Sequence, residues 1–199
     1  MPNRAVGRAV FQVGVIGLGA VSVVTHDFLK GPQPVPASLP GLALLAVLSG
    51  LLLMATGAGL SVPAFARNAA RVAFGYFILW ILIWDLPAVV QHPLTEVYWL
   101  TLGQTAVIAL AAWLLLADGR RSPRVPRMLA GLALIPIGLS HFFYFQVSLT
   151  FVPAWAPFPS FVVALTGAGH IAAGLGILFG VVPRLAARSE ERRVGKECS

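Results

Sequence analysis

Apolar residues in this chain come in blocks about as long as a bilayer is thick, and polar residues gather in the short breaks between them. A hydrocarbon core of about 30 Å needs about 20 apolar residues in a helix. Blocks of that length run approximately over Ala9–Leu29, Leu39–Leu60, Val72–Val90, Val97–Ala117, Met128–Phe151 and Phe161–Val182. The breaks are rich in Pro, Gly and charge: Gly31-Pro32-Gln33-Pro34, Pro63 to Arg67, Gln91-His92-Pro93, Asp118 to Pro123, and Pro153 to Pro159. The pattern predicts an all-α fold, a polytopic membrane helix bundle of about six transmembrane helices. The first block is long and has no small-x-small site after it, which argues against a cleavable signal peptide.

Composition agrees. Hydrophobic residues make up 58% of the chain and charged residues 11%, against roughly 25% charged in a soluble domain. Mean hydropathy is +0.85. So few charges cannot coat a soluble surface. The net charge of +7 sits in clusters between apolar blocks rather than on a basic stripe, so nucleic acid is not an expected partner and the lipid bilayer is. Arg4, Arg8, Arg67, Arg71, Arg120, Arg121, Arg124, Arg127 and Arg184 all fall on one side of a six-span arrangement, while the opposite loops hold only Lys30. The positive-inside rule makes the first side cytoplasmic. The expected location is the bacterial inner membrane, with the N-terminus in the cytoplasm.

The last residues depart from this pattern. Arg188 to Cys198 is polar, lacks an apolar period, and reads as the in-frame translation of a common short-read sequencing adapter. Residues 188–199 are therefore expected to be an artefactual tail, and Cys198, the only cysteine, goes with it. The rest of the chain repeats itself. Val35-Pro36-Ala37, Pro40, Leu48-Ser49-Gly50, Ala55, Gly57, Gly59 and Arg67 match Val152-Pro153-Ala154, Pro157, Leu165-Thr166-Gly167, Ala172, Gly174, Gly176 and Arg184 at one constant spacing. One helix earlier, Thr25-His26-Asp27-Phe28 matches Ser140-His141-Phe142-Phe143 at a spacing two residues shorter. The expected organisation is a first four-helix repeat over residues 1–121 and the first two helices of a second over residues 122–187. A natural chain of eight spans, in two repeats of like orientation, follows as an expectation.

These residues resemble the DoxX-like membrane protein family. The resemblance is carried best by Gly138-Leu139-Ser140-His141-Phe142, Val152-Pro153-Ala154-Trp155, Thr166-Gly167-Ala168-Gly169-His170-Ile171, Gly174 and Arg184-Leu185-Ala186-Ala187. The family pattern has G-x-x-H/K-F, a Pro-rich loop, S/T-G-x-x-E-I-x-x-G, and an Arg at the next inner end. This chain departs from it in one place, with His170 where the family tends to have Glu. The resemblance implies a membrane component, which in some members is a subunit of a quinone-linked oxidoreductase.

Ionisable groups inside a bilayer are costly and mark functional or packing sites. Asp85, His26 and His141 fall toward the non-cytoplasmic ends of their spans. Counted at about 1.5 Å per residue, His141 and His170 reach similar depth and are positioned to meet across a helix pair. The expected site is a polar pocket open to the periplasm, lined by His141 and His170 with His26 and Asp85 nearby. A quinone fits it, because imidazoles hydrogen-bond carbonyls and move protons. Two alternatives stay open: interhelical hydrogen bonding alone, and ligation of haem or metal. Haem is disfavoured and no metal site is expected, because two His without a spaced partner motif are a weak signal. Ala168, Ala172, Gly176 and Gly180 recur every four residues and are expected to form a small-residue packing face. Pro136 is expected to kink its helix.

No P-loop, dinucleotide-binding or H-E-x-x-H motif is present. The leading expectation is an accessory membrane subunit in quinone-linked redox chemistry, working with a redox partner subunit or as a homo-oligomer; the sequence leans against an enzyme in its own right. A small-molecule transporter or channel and a purely structural scaffold are the rivals.

Overall fold

The computed structural model describes residues 2–36, 38–117 and 124–180. The Arg120–Arg121 loop, the end of the sixth apolar block, Arg184 and the tail with Cys198 lie outside the described residues. Six helices are long and apolar enough to cross a membrane. In chain order they are α1 (Pro2–Thr25), α2 (Leu42–Gly59), α3 (Pro63–Trp80), α5 (Glu96–Leu116), α6 (Arg124–Phe143) and α8 (Pro159–Leu178). A π-helical turn over Ile81–Asp85 joins α3 to the short α4 (Leu86–Gln91), and α7 (Phe145–Thr150) follows α6. The described residues contain no strand.

The third and fifth spans depart from the hydropathy reading, each for local reasons. The third span begins at Pro63 rather than Val72: proline is tolerated in the first turn, where its missing N–H has no intrahelical role. Arg71 lies within that helix and donates to Asn68 Oδ1 at 3.0 Å. The fifth span stops at Phe143, because Tyr144 adopts φ −112°, ψ 44°. Phe142 to Phe145 is apolar on both sides of the break, so hydropathy cannot see it. The π turn precedes Pro87, whose ring would crowd the carbonyl of Ile83 in a regular helix. Leu86 N–H bonds back to Ile81 O instead, and the wider turn absorbs the conflict.

α1, α2, α3 and α5 share one core. Val15, Leu53, Phe77 and Ala109, one from each, are packed together and almost completely buried. A second cluster of Leu60, Ala69 and Ala70 closes the arginine-bearing end, where the Gln12 amide donates to Ser61 Oγ. α6 packs on α5 and α8 packs on α6. Gly103 of α5 allows the first of these contacts: a Cβ there would stand 2.6 Å from Ala133 O. Large apolar side chains such as Val10, Leu44, Leu82, Leu132 and Leu165 point outward from the spans. That surface suits lipid and not water.

The α1–α2 and α6–α8 pairs are built alike. Gly50 lies against Gly19 O and Val23, and Gly167 lies against Gly138 O, His141 Cβ and Phe142. One turn pair further along, Gly57 meets Gln12 O and Gly174 meets Gly131 O. These contacts match Gly19 with Gly138 and Gln12 with Gly131, one helical turn away from the register in which His26 corresponds to His141. The residue of α1 at the level of His141 is Ser22. On α2 the counterpart of His170 is Leu53.

Candidate functional site

His141 and His170 meet. Their rings stack across the α6–α8 seam with centroids 5.5 Å apart and planes 24° from parallel. Glycine makes the approach possible. A Cβ on Gly167 would stand 2.8 Å from His141 Cβ and 2.9 Å from Gly138 O, so only a bare backbone lets α8 come this close. Both rings are anchored in the same way. His141 Nδ1 lies 2.9 Å from Ile137 O, and His170 Nδ1 lies 2.8 Å from Thr166 O, each on its own helix one turn back. A carbonyl can only accept, so each Nδ1 carries the proton. In the neutral ring each Nε2 is then a bare acceptor. Both side chains are half-buried, and Phe142 beside them is exposed.

The other two residues expected in this pocket lie elsewhere. α1 ends at Thr25, and His26 follows it as an exposed residue in the left-handed region, φ 54°. Asp85 ends the π turn, completely buried, and its neighbours are the hydroxyls of Thr101 and Thr105 on α5. The expected four-residue pocket is therefore a two-histidine seam plus a separate buried carboxyl.

The packing face is also different from the expected one. Ala168 and Ala172 are exposed, and Gly180 follows the helix at φ 68°, where an added methyl would meet nothing within 4 Å. The α6–α8 contact runs through Gly167 and Gly174, two turns apart on another face.

Two buried polar residues, Gln33 and Thr105, and the half-buried Tyr76 escaped the sequence reading. Gln33, in the loop after α1, is fully buried and its amide donates to Tyr76 Oη at 2.5 Å. Tyr76 in turn shares a hydrogen bond with Ser49 Oγ. Thr105 Oγ1 donates to Pro32 O at 3.1 Å and Thr101 O at 3.0 Å, tying the loop to α5. The signal for the pair on α5 was available: Thr101 and Thr105 are four apart, on one face of a helix. Nothing in a Pro-Gln-Pro loop announces that its glutamine turns inward.

A cavity of about 640 Å³ opens between α3, α5 and α6, among Phe74, Trp99, Trp113, Leu132 and Pro136. Its walls are apolar, so it has nothing to orient a reacting group, and the histidine seam is the better candidate for chemistry. Among the described residues no group of three or more His, Cys, Asp or Glu is placed to hold a metal ion.

Fold and surface define a multi-pass, all-α membrane protein. Within it, residues 124–189, about a third of the chain and including α6, α7 and α8, are similar to the DoxX family. The histidine seam lies inside the matched stretch, and the first four spans lie outside it. No curated protein and no solved structure matches the chain.

Proposed function

We propose that this DoxX-like protein serves quinone-linked redox chemistry in the bacterial inner membrane, as an accessory subunit that binds the reduced quinone at His141 and His170. In this reading the N-terminus is cytoplasmic, and the seam sits in the periplasmic half of the bilayer. The observation that carries it is the pair of anchored rings. With both Nδ1 atoms committed to carbonyls, the free edge of the pair consists of two acceptors. A hydroquinone brings two O–H donors, whereas a quinone brings two acceptors. The neutral pair therefore favours the reduced form, and donates to a quinone carbonyl only after Nε2 takes up a proton. Both rings are only half-buried, which leaves a lipophilic ligand a route from the bilayer.

Oxidation of a hydroquinone releases two protons and two electrons. The Nε2 atoms accept protons and pass them toward the outer face. The electrons go to an acceptor on a redox partner subunit. This chain supplies binding, orientation and proton acceptance.

The test is binding of a short-chain hydroquinone to protein in lipid nanodiscs. One lost acceptor hydrogen bond is worth about 1–1.5 kcal/mol, about tenfold in affinity. His141→Phe and His170→Phe should each weaken binding by about that factor, and the oxidised ligand should bind the wild type more weakly than the reduced one. Unchanged binding by the folded double variant sinks the proposal and leaves the scaffold reading, in which the histidines only join two helices.

A further inference from the structure

We propose that Asp85 is a proton-binding site: its carboxyl is held as the neutral acid inside the first four spans, apart from the histidine seam. Burial without a counter-charge leads there. Asp85 is completely buried, and among the described residues neither of its oxygens has a hydrogen-bond partner. The polar groups beside it are the hydroxyls of Thr101 and Thr105. Each hydroxyl has one proton and lies within reach of a backbone carbonyl. Thr101 Oγ1 donates to Tyr98 O at 3.0 Å, and Thr105 Oγ1 donates to the Pro32 and Thr101 carbonyls. Their hydroxyls are neutral, so they bring Asp85 no counter-charge. An ionised carboxylate would be fully buried with no positive charge beside it among the described residues. The missing positive partner has to arrive with the carboxyl itself.

Among the described residues no side chain supplies it. The π turn packs against α3, α4 and α5. α4 has no ionisable residue. On α3, Arg71 and Arg67 are about 21 and 27 Å away along the helix axis, and the Tyr76 hydroxyl is engaged by Gln33 and Ser49. On α5, Glu96 is a second acid and Tyr98 bears no positive charge. Lys30, on the loop that Thr105 holds, is exposed and lines a cavity with Gln104 and Ile137 instead. A dehydrated monovalent cation is the other way to satisfy a ring of oxygens. It needs room, and Asp85 lines neither of the two cavities just described. A proton needs none. An ionisable residue in this position is costly unless it is used, and a π turn is a frequent setting for such residues.

A hydrophobic carbodiimide adds across the O–H of a protonated carboxyl in an apolar site, with no leaving group, and marks the residue for mass spectrometry. The full chain in nanodiscs, in sodium-free medium at neutral pH, should be labelled at Asp85. Labelling should be absent in Asp85→Asn and unaffected by sodium. Suppression of the label by sodium would overturn the proposal in favour of a cation site. The label also depends on reagent access, so the infrared spectrum is recorded alongside. A protonated-carboxyl carbonyl band that disappears in Asp85→Asn upholds the proposal even without labelling, and no such band together with no label refutes it.

Discussion

Gly167 and Gly169 lie two residues apart on one transmembrane helix and have opposite surroundings, which makes them a controlled pair. A methyl on Gly167 would be 2.8 Å from His141 Cβ, 2.8 Å from Phe142 Cε2 and 2.9 Å from Gly138 O. Two of these neighbours are backbone or next to it and cannot swing aside, so α8 must move off α6. Forcing a group into such a contact costs about 1–3 kcal/mol. A methyl on Gly169 meets nothing within 4 Å, and alanine is the better helix former by about 1 kcal/mol. Both substitutions gain that propensity, so it cancels, and Gly167→Ala should be less stable than Gly169→Ala by about 1–3 kcal/mol, the cost of the clash alone. Reversible unfolding in mixed detergent micelles, followed by tryptophan fluorescence, measures both. Gly167→Ala should also weaken hydroquinone binding, because separating the helices separates the rings. Equal stability of the two variants would refute the claim that glycine sets the α6–α8 distance.

Equivalent positions of the two helix pairs should respond oppositely. Leu53→His puts an imidazole into the packed core of the first four spans and should cost at least about 3 kcal/mol, whereas His170→Leu should leave the melting temperature within a few degrees of wild type and only weaken ligand binding, by about tenfold. Tyr76→Phe removes the acceptor of the buried Gln33 amide and should cost about 1–3 kcal/mol. Adding Gln33→Leu should recover part of that loss in the same unfolding assay, since it removes the stranded amide.

The sequence made the spans legible because a bilayer imposes a length on apolar blocks, and length survives errors of a few residues. It made the meeting of His141 with His170 legible because depth can be counted along a helix. What it could not convey was direction around the helix axis. α8 is apolar on every side, so no contrast of polarity marks the face that meets α6. Small residues occur on two of its faces, and the regular stripe at Ala168 and Ala172 drew attention away from Gly167 and Gly174. The same blindness put His26 beside His141. Short motifs align equally well one turn apart when the intervening residues are all aliphatic, and only the glycine contacts decide the register. The inward turn of Gln33 and the burial of Asp85 depend on a loop fold and a π turn, neither of which has a period.

Comparing the two helix pairs in the corrected register supplies an argument for the proposed ligand over packing alone at the histidine seam. Both pairs use glycine against carbonyl at matching levels. In the first, the facing positions hold Ser22 and Leu53, both buried, and Leu53 completes a core with Val15, Phe77 and Ala109. The same frame is thus closed by a small hydroxyl and an aliphatic side chain. In the second pair those positions hold His141 and His170. Two imidazoles add nothing that serine and leucine fail to provide for packing, and each brings polar nitrogens into the span. The helices satisfy one nitrogen of each ring through Ile137 O and Thr166 O. The other stays an acceptor, in a setting where an unmet acceptor is penalised. A seam meant only to hold two helices together has no reason to carry that cost twice on facing positions. A seam that receives a ligand with two hydroxyl donors recovers it on binding.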